Sequence, residues 1–231
     1  DNNLPGSELS IGADTALNNA TWALDRIKES AAATKRCFIA EIMGRRCGYL
    51  TLMSSLSSGA EYIYLNEDAA NLQKIAEDSR RMVDSFKDGR RLFLILVNEA
   101  VSKFYDREFL ASVYEAESEG YYDVRHSALG HLQQGGAPSP FDRLLATRLT
   151  NRALEHLQNQ FTRGEAEGVY IGQIGNHIEA RLVKNMFDDL DIVNRRPFDQ
   201  WWCELTRIQR IVSMQDPGMP ALTISIADSE E

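Results

Sequence analysis

Residues 36–50 read RCFIAEIMGRRCGYL. The stretch begins as a short β-rich run, Cys37 to Ile42, breaks at Met43, Gly44, Arg45 and Arg46, and restarts at Gly48 with a helix-like pattern. A strand that feeds a basic, glycine-flanked turn and then a helix is a unit of an open α/β sheet, which binds its ligands at the carboxyl ends of the strands. This segment therefore argues for a parallel sheet and marks the turn at 43–46 as a place to look for chemistry.

Working outward, the same alternation continues in both directions. Leu17, Ala20, Leu24 and Ile27 recur at helical spacing, so residues 12–33 read as a helix opened by the 10–14 region. Further strands are expected at 62–65, 92–98 and 124–129. Between them, residues 50–57 read as helix, Leu72, Ile75, Met82 and Phe86 mark another, and Phe109, Leu110 and Val113 a third. Strand and helix alternating at this pitch predict a mostly parallel sheet covered by helices on both faces, a three-layer αβα arrangement.

A second segment carries chemistry of its own. Residues 130–143, GHLQQGGAPSPFDR, place His131, Gln133 and Gln134 in a polar turn and follow it with Gly135 and Gly136. Either the glycines let backbone approach a ligand closely, or the segment is an ordinary capped loop. Ser139, Pro140 and Asp142 read as N-cap, first helical residue and N3 partner of a helix expected over 140–157. Farther on, GVYIGQIGNHIEARLV reads as two short strands around Gly175-Asn176. Residues 199–213 form an amphipathic element whose Trp201 and Trp202 are expected to pack in a core or between domains. The tail, 218–231, is acidic and small in composition and is expected to be poorly ordered.

Composition narrows the function classes. The chain has 231 residues, 43% hydrophobic and 26% charged, enough to bury a sizeable core. No apolar run approaches the ~20 residues that span a bilayer, and no charged-then-apolar leader precedes the first element, so a soluble cytoplasmic protein without a membrane partner is expected. The net charge of −9 disfavours nucleic acid. Scattered basic doublets in an acidic chain suit a small anion held by a local arginine pocket, although Arg80-Arg81 and Arg90-Arg91 read better as solvated faces. Cys37, Cys47 and Cys203 have no paired spacing, which argues against a structural disulfide or a zinc site.

MGRRCGYLTLMSSLSSGAEYIYL and GHLQQGGAPSPFDR together resemble the 6-phosphofructokinase family, and so do PGSELSIGADTALN near the start and FDQWW near the end. The motifs stand in family order over nearly the whole chain. The resemblance implies a fold in which residues 5–129 form the sugar-phosphate lobe, 130–185 part of a second, nucleotide-side lobe left incomplete here, and 186–231 returning helices and a tail. It implies that 1–231 is the C-terminal portion of such a fold, carrying its sugar-phosphate side. No GxGxxG or GxxxxGK[ST] run occurs, so ATP and Mg2+ would be held by other parts of the enzyme and by no residue of this chain.

Residue by residue, the resemblance assigns Met43, Gly44 and Arg45 to the turn that contacts a fructose phosphate, and Glu99 to the carboxylate that accepts sugar hydroxyls. His131 becomes a phosphate ligand, with Leu132, Gln133 and Gln134 beside it, and Arg195 another phosphate-binding arginine. Arg36 and Arg125 match a pair that reaches across a subunit interface, so a homo-oligomer, a tetramer in the family, is implied. Asp1, Asn2 and Asn3 stand where catalytic halves carry a TIDND-like run, with Asp1 at the position of the base for the sugar hydroxyl. Here the second carboxylate has become Asn3, and Gln134 stands where the catalytic pattern has arginine. These departures favour the half that binds the activator fructose 2,6-bisphosphate beside an N-terminal catalytic half. Asp1 and Arg45 keep open a fragment of a catalytic half that binds fructose 6-phosphate. A scaffold fragment with an emptied site is the third reading.

Overall fold

In the computed structural model, described for residues 1–31, 34–68 and 70–213, the first half of the chain builds one parallel sheet. Helix α1 (Ala13–Ala31) leads into β1 (Arg36–Ile42), followed by α2 (Tyr49–Ser58), β2 (Tyr62–Tyr64), α3 (Leu72–Lys87), β3 (Leu92–Asn98), α4 (Arg107–Ala116) and β4 (Asp123–Ala128). The sheet has four strands in the order β2-β3-β1-β4, and every pair is parallel. Alternate side chains sort to the two faces. Ala40, Ile42, Ile63, Leu94 and Leu96 pack with α1 and α2, whereas Cys37, Ile39, Tyr62, Tyr64, Phe93, Ile95 and Val97 pack with α3 and α4. Burial on both faces explains why β1 and β3 read as almost unbroken apolar runs.

The α3/α4 face encloses one polar network. The Tyr64 hydroxyl donates to Asp78 Oδ2 at 2.9 Å and lies 2.6 Å from the Tyr114 hydroxyl. Burial pushes the Asp78 carboxyl above its ordinary value, and the Tyr64 hydrogen bond acts against that shift. Cys37, on the same face, is fully buried, and burial raises its thiol well above the usual range.

After β4 the chain makes a 3-10 turn at Gly130–Gln134 and enters α5 (Pro140–Arg163). This helix is longer than the expected 140–157, because its stop is Gly164, left-handed at φ 68°, whose amide closes the last turn. Ser139 caps it as expected, accepting from the Asp142 amide at 3.2 Å. The Asp142 carboxylate does not complete a capping box. It accepts instead from the Gly12 and Thr15 amides, at 2.8 Å each, and so caps α1. Nor does chain crowd the glycines of this loop. A side chain at Gly135 would meet nothing nearer than 3.8 Å, and Gly136 is needed for its φ of 80°.

Beyond α5, β5 (Val169–Ile174) and β6 (His177–Leu182) form an antiparallel hairpin turning at Gly175-Asn176, outside the four-stranded sheet. Gly172 lies so close to the Gly6 carbonyl that a Cβ would sit 2.0 Å from it, so the segment after Asn3 packs backbone to backbone on the hairpin. A two-residue pair, β7 (Leu190–Asp191) and β8 (Arg196–Pro197), was not anticipated. The amphipathic element at 199–213 divides into a 3-10 turn, Trp201–Leu205, and α6 (Thr206–Val212). Trp202 is buried against Tyr49 in the α1/α2 core, while Trp201 is partly exposed and donates to the Glu8 carbonyl at 3.0 Å. The expected tail lies outside the described residues, as do the last two residues of the expected first helix.

Candidate sugar-phosphate site

The central strands decide where the site forms. Ile42 of β1 is in register with Asn98 of β3, so both strands end at one level. From there the chain leaves toward α2 on one face and toward α4 on the other. Adjacent strands whose connections depart to opposite faces create a crevice at their carboxyl ends, the usual ligand position in such sheets. The turn at 43–46 follows β1, and Glu99 follows β3.

Within the crevice the turn is tied down at each end. The Cys47 amide donates to the Gly44 carbonyl at 2.9 Å, closing a tight turn with Arg45 at φ 51°. A left-handed residue at that position is ordinarily glycine, so Arg45 is held against its preference. Glu99 Oε1 accepts the Gly44 amide at 3.0 Å and the Arg45 amide as well. At the far end, both carboxylate oxygens of Glu67 accept the Gly48 amide, at 3.0 and 3.1 Å, at the start of α2. Arg196 holds Glu67 in turn at 2.8 Å, with both side chains largely buried.

Around this turn the structure gathers most of the expected residues. Asp1 lies 3.4 Å from Arg45 Nε, and the Arg45 side chain is 73% exposed, so the pair is weak and leaves the guanidinium open to another anion. Gln133 is buried, and its Oε1 accepts the Met43 amide at 2.7 Å while its Nε2 has no partner among the described residues. Asn3 donates to the Arg195 carbonyl at 3.2 Å. Arg195 is itself left-handed, φ 56°, and exposed. His131, Leu132 and Gln134 are exposed on the 3-10 turn. Asp1, Met43, Gln133 and Gln134 also line a cavity of about 470 Å³ that runs between the first turns of α1 and α5.

Asn2 is placed otherwise. It is buried with φ 58°, donating to the Glu8 carbonyl at 2.9 Å and accepting the Ser10 amide at 2.7 Å. Both ends of its amide are thus engaged in shaping the first loop. Arg36 and Arg125 are not brought to the crevice by this chain. Arg36 opens β1 at the amino end of the sheet, roughly 20 Å from the turn at about 3.3 Å per residue. Arg125 pairs with Phe38 on the edge strand β4, so the two arginines share one face of the sheet edge.

Sequence reasoning missed Glu67 and Arg196; Arg46, inside the turn the sequence marks, directs its Nη1 to the Val193 carbonyl at 2.5 Å. Glu67 had a signal, since it follows the carboxyl end of β2. Arg196 had none, because its partner lies 129 residues away in the chain. Cys47 offers no reactive thiol: it is buried, and burial pushes it up to about 11.

Comparison with known proteins shows the family. The phosphofructokinase family model matches residues 1–157. The chain belongs to the phosphofructokinase family. An ATP-dependent 6-phosphofructokinase of Dictyostelium discoideum is 41% identical over 94% of the chain, and the human platelet-type enzyme 36% identical over 92%. The phosphofructokinase of Saccharomyces cerevisiae superposes with a TM-score of 0.87 at 32% identity, over 93% of this chain and 30% of that one. The chain spans 27% and 28% of the length of the two curated phosphofructokinases. No helix among the described residues is long and apolar enough to cross a membrane.

Proposed function

We propose that this chain is the sugar-phosphate-binding part of an ATP-dependent 6-phosphofructokinase, a cytoplasmic glycolytic enzyme that phosphorylates fructose 6-phosphate, and that its own site binds the activator fructose 2,6-bisphosphate. The observation that carries this reading is the crevice between β1 and β3, where Arg45, Gln133 and Arg195 offer donors and the Asp1 carboxylate stands 3.4 Å from the open Arg45 guanidinium. Guanidinium groups match phosphate oxygens with paired, charge-assisted hydrogen bonds. Met43 and Gly44 shape the turn, Glu99 accepts from it, and Gln134 lines the adjoining cavity, with His131 and Leu132 on the same 3-10 turn.

Activation rather than catalysis is favoured by what stands beside Asp1. Phosphoryl transfer draws its rate from cations and positioning as much as from a base. Asn3 supplies an amide already donating to Arg195, and Gln134 supplies no charge. Among the described residues no cluster of three or more His, Cys, Asp or Glu side chains could hold a metal. The family resemblance, and not the lack of such a cluster, assigns Mg2+ and ATP to the rest of the enzyme, and no step through them is assigned to this chain.

The remainder of the assembly follows the same reading. Residues 5–129 are the sugar-phosphate lobe, 130–185 belong to the second lobe, and the described part of 186–231, through residue 213, returns to the first. Leu154, Leu157 and Phe161 leave α5 with a large exposed apolar stripe, which a completed second lobe would cover. An N-terminal half supplies catalysis, and a homotetramer brings Arg36 and Arg125 to a neighbour's site. A second reading, a catalytic half using Asp1 as base toward fructose 6-phosphate, is favoured by the carboxylate of Asp1 at the mouth of the crevice. Asp1→Asn in the full-length enzyme separates the two. Turnover within about threefold of the unaltered enzyme, with weakened activation by fructose 2,6-bisphosphate, supports the regulatory site, whereas loss of a general base costs about 100-fold or more in turnover.

A further inference from the structure

The segment that returns to the site after the β5–β6 hairpin is fastened there largely by one side chain. Between β7 and β8 the loop leaves Ile192 and Val193 exposed, at 65% and 75%. A loop with so little apolar burial depends on polar ties for its position. Arg196 supplies three of them. Its Nη1 lies 2.8 Å from Glu67 Oε1, 2.8 Å from the Arg46 carbonyl and 2.9 Å from Asn66 Oδ1. Each acceptor belongs to the carboxyl-end rim of the sheet: Asn66 and Glu67 follow β2, and Arg46 lies in the turn after β1. Asn66 donates in turn to the Ala100 carbonyl just beyond β3, so one guanidinium is laced to the ends of three neighbouring strands. The Arg196 and Glu67 side chains are only 15% and 12% exposed, and Gln200 adds a donor to the same carboxylate at 3.3 Å.

The residue before it, Arg195, is left-handed at φ 56° and exposed, and its carbonyl accepts from Asn3 at 3.2 Å. A residue other than glycine keeps that conformation only where its surroundings impose it. We infer that Arg196 is a positioning residue: by joining Glu67, Asn66 and the Arg46 carbonyl it anchors the β7–β8 segment to the rim and holds Arg195 left-handed at the mouth of the crevice. Its influence on a bound sugar phosphate then passes through Arg195. Arg210 differs. It also joins the C-terminal region to the end of β2, through Asp68 at 2.9 Å, but both side chains are nearly half exposed, and a solvated pair of that kind contributes little. A pair removed from water behaves otherwise, because loss of either partner leaves the other charged and uncompensated. This inference rests on the reading of the crevice as a fructose-phosphate site, but the anchor exists without any ligand and can be measured without one.

Two measurements on the full-length protein test it. The first, with no sugar present, follows amide hydrogen exchange in the peptide spanning residues 190–197. Arg196→Met should accelerate exchange there by about tenfold or more, and Arg196→Lys by less, since an ammonium keeps a charge beside Glu67 but not the planar reach to three acceptors. Arg210→Ala should stay near the unaltered rate. The second is titration with fructose 2,6-bisphosphate in two backgrounds. Arg196→Met should weaken binding by about tenfold when residue 195 is arginine, and by less than about twofold in Arg195→Ala, where no guanidinium remains to be positioned. Should Arg196→Met fail to fold, Arg196→Lys replaces it in both measurements, with the same pattern at smaller size. Exchange unchanged in both Arg196 variants, or raised as much by Arg210→Ala, would overturn the inference. So would an equal loss of affinity in both backgrounds, the mark of general destabilisation or of a contact between Arg196 itself and the ligand. If the unaltered protein binds no fructose phosphate, the proposed function falls, and the exchange measurement alone still judges the anchor.

Discussion

At the scale of single residues, the convergence of the expected site residues was readable wherever chemistry and chain position coincided. Met43, Gly44 and Arg45 follow a strand directly, and Glu99 follows the strand beside it, so their convergence needed only the parallel sheet. What could not be read was how far these side chains hold one another. Asn2 looks like a polar ligand in the sequence, yet both ends of its amide serve backbone. Glycine at position 44 is required for space and not for conformation, because a Cβ would meet the Cys47 carbonyl at 2.5 Å. Gly44→Ala should therefore force the turn apart, costing roughly 1 to 3 kcal/mol as an overpacked site. Thermal unfolding of the full-length protein should show the loss, accompanied by weaker fructose 2,6-bisphosphate binding. A variant that binds and melts like the unaltered protein would show that the turn accommodates a methyl group.

At the scale of elements, strands and helices with strong periodicity were legible, and their ends were not. The four strands fall within a residue or so of expectation because two-sided burial demands apolar runs. The end of α5 was misplaced by six residues, since Gly164 and not the last apolar repeat stops it. The pairing of β7 with β8 is too short to leave a pattern. The start of α1 depends on a carboxylate more than a hundred residues away: Asp142 accepts the Gly12 and Thr15 amides and the Thr15 hydroxyl. No local signal encodes that cap. Asp142 also stands in the first turn of α5, so one buried side chain fastens two helices around the cavity beside the site. Asp142→Ala should destabilise the first turn of α1 by about 2 to 4 kcal/mol, with Asp142→Asn retaining part of the interaction. Because an enzyme of several domains need not unfold in one step, amide exchange at residues 12–15 is the appropriate measure. Protection there unchanged in the alanine variant would mean that water replaces the carboxylate at no cost.

At the scale of the whole molecule, the sheet separates two groups of basic residues that the sequence alone ranks together. Arg45 and Arg195 stand at the carboxyl-end crevice, whereas Arg36 and Arg125 share a face toward the amino end of the sheet, Arg36 on the inner strand β1 and Arg125 on the outermost strand β4. That division follows from strand direction, and it makes the second pair useless to the site of its own chain. Under the proposed function it also makes them available to a neighbour, because β4 is an edge strand and Arg125 is exposed on it. An arginine that completes a partner's phosphate site forms a desolvated, bidentate contact only in the assembly, so its loss should cost about 2 to 4 kcal/mol of effector binding. Arg125→Ala should then raise the fructose 2,6-bisphosphate concentration for half-activation of the full-length enzyme by roughly 30- to 1000-fold. Arg80, exposed on the α3 face, serves as the control, and Arg80→Ala should leave the activation curve in place. Identical curves for the two variants and the unaltered enzyme would confine the effector site to one chain, leaving Arg45 and Arg195 as its only expected guanidinium ligands.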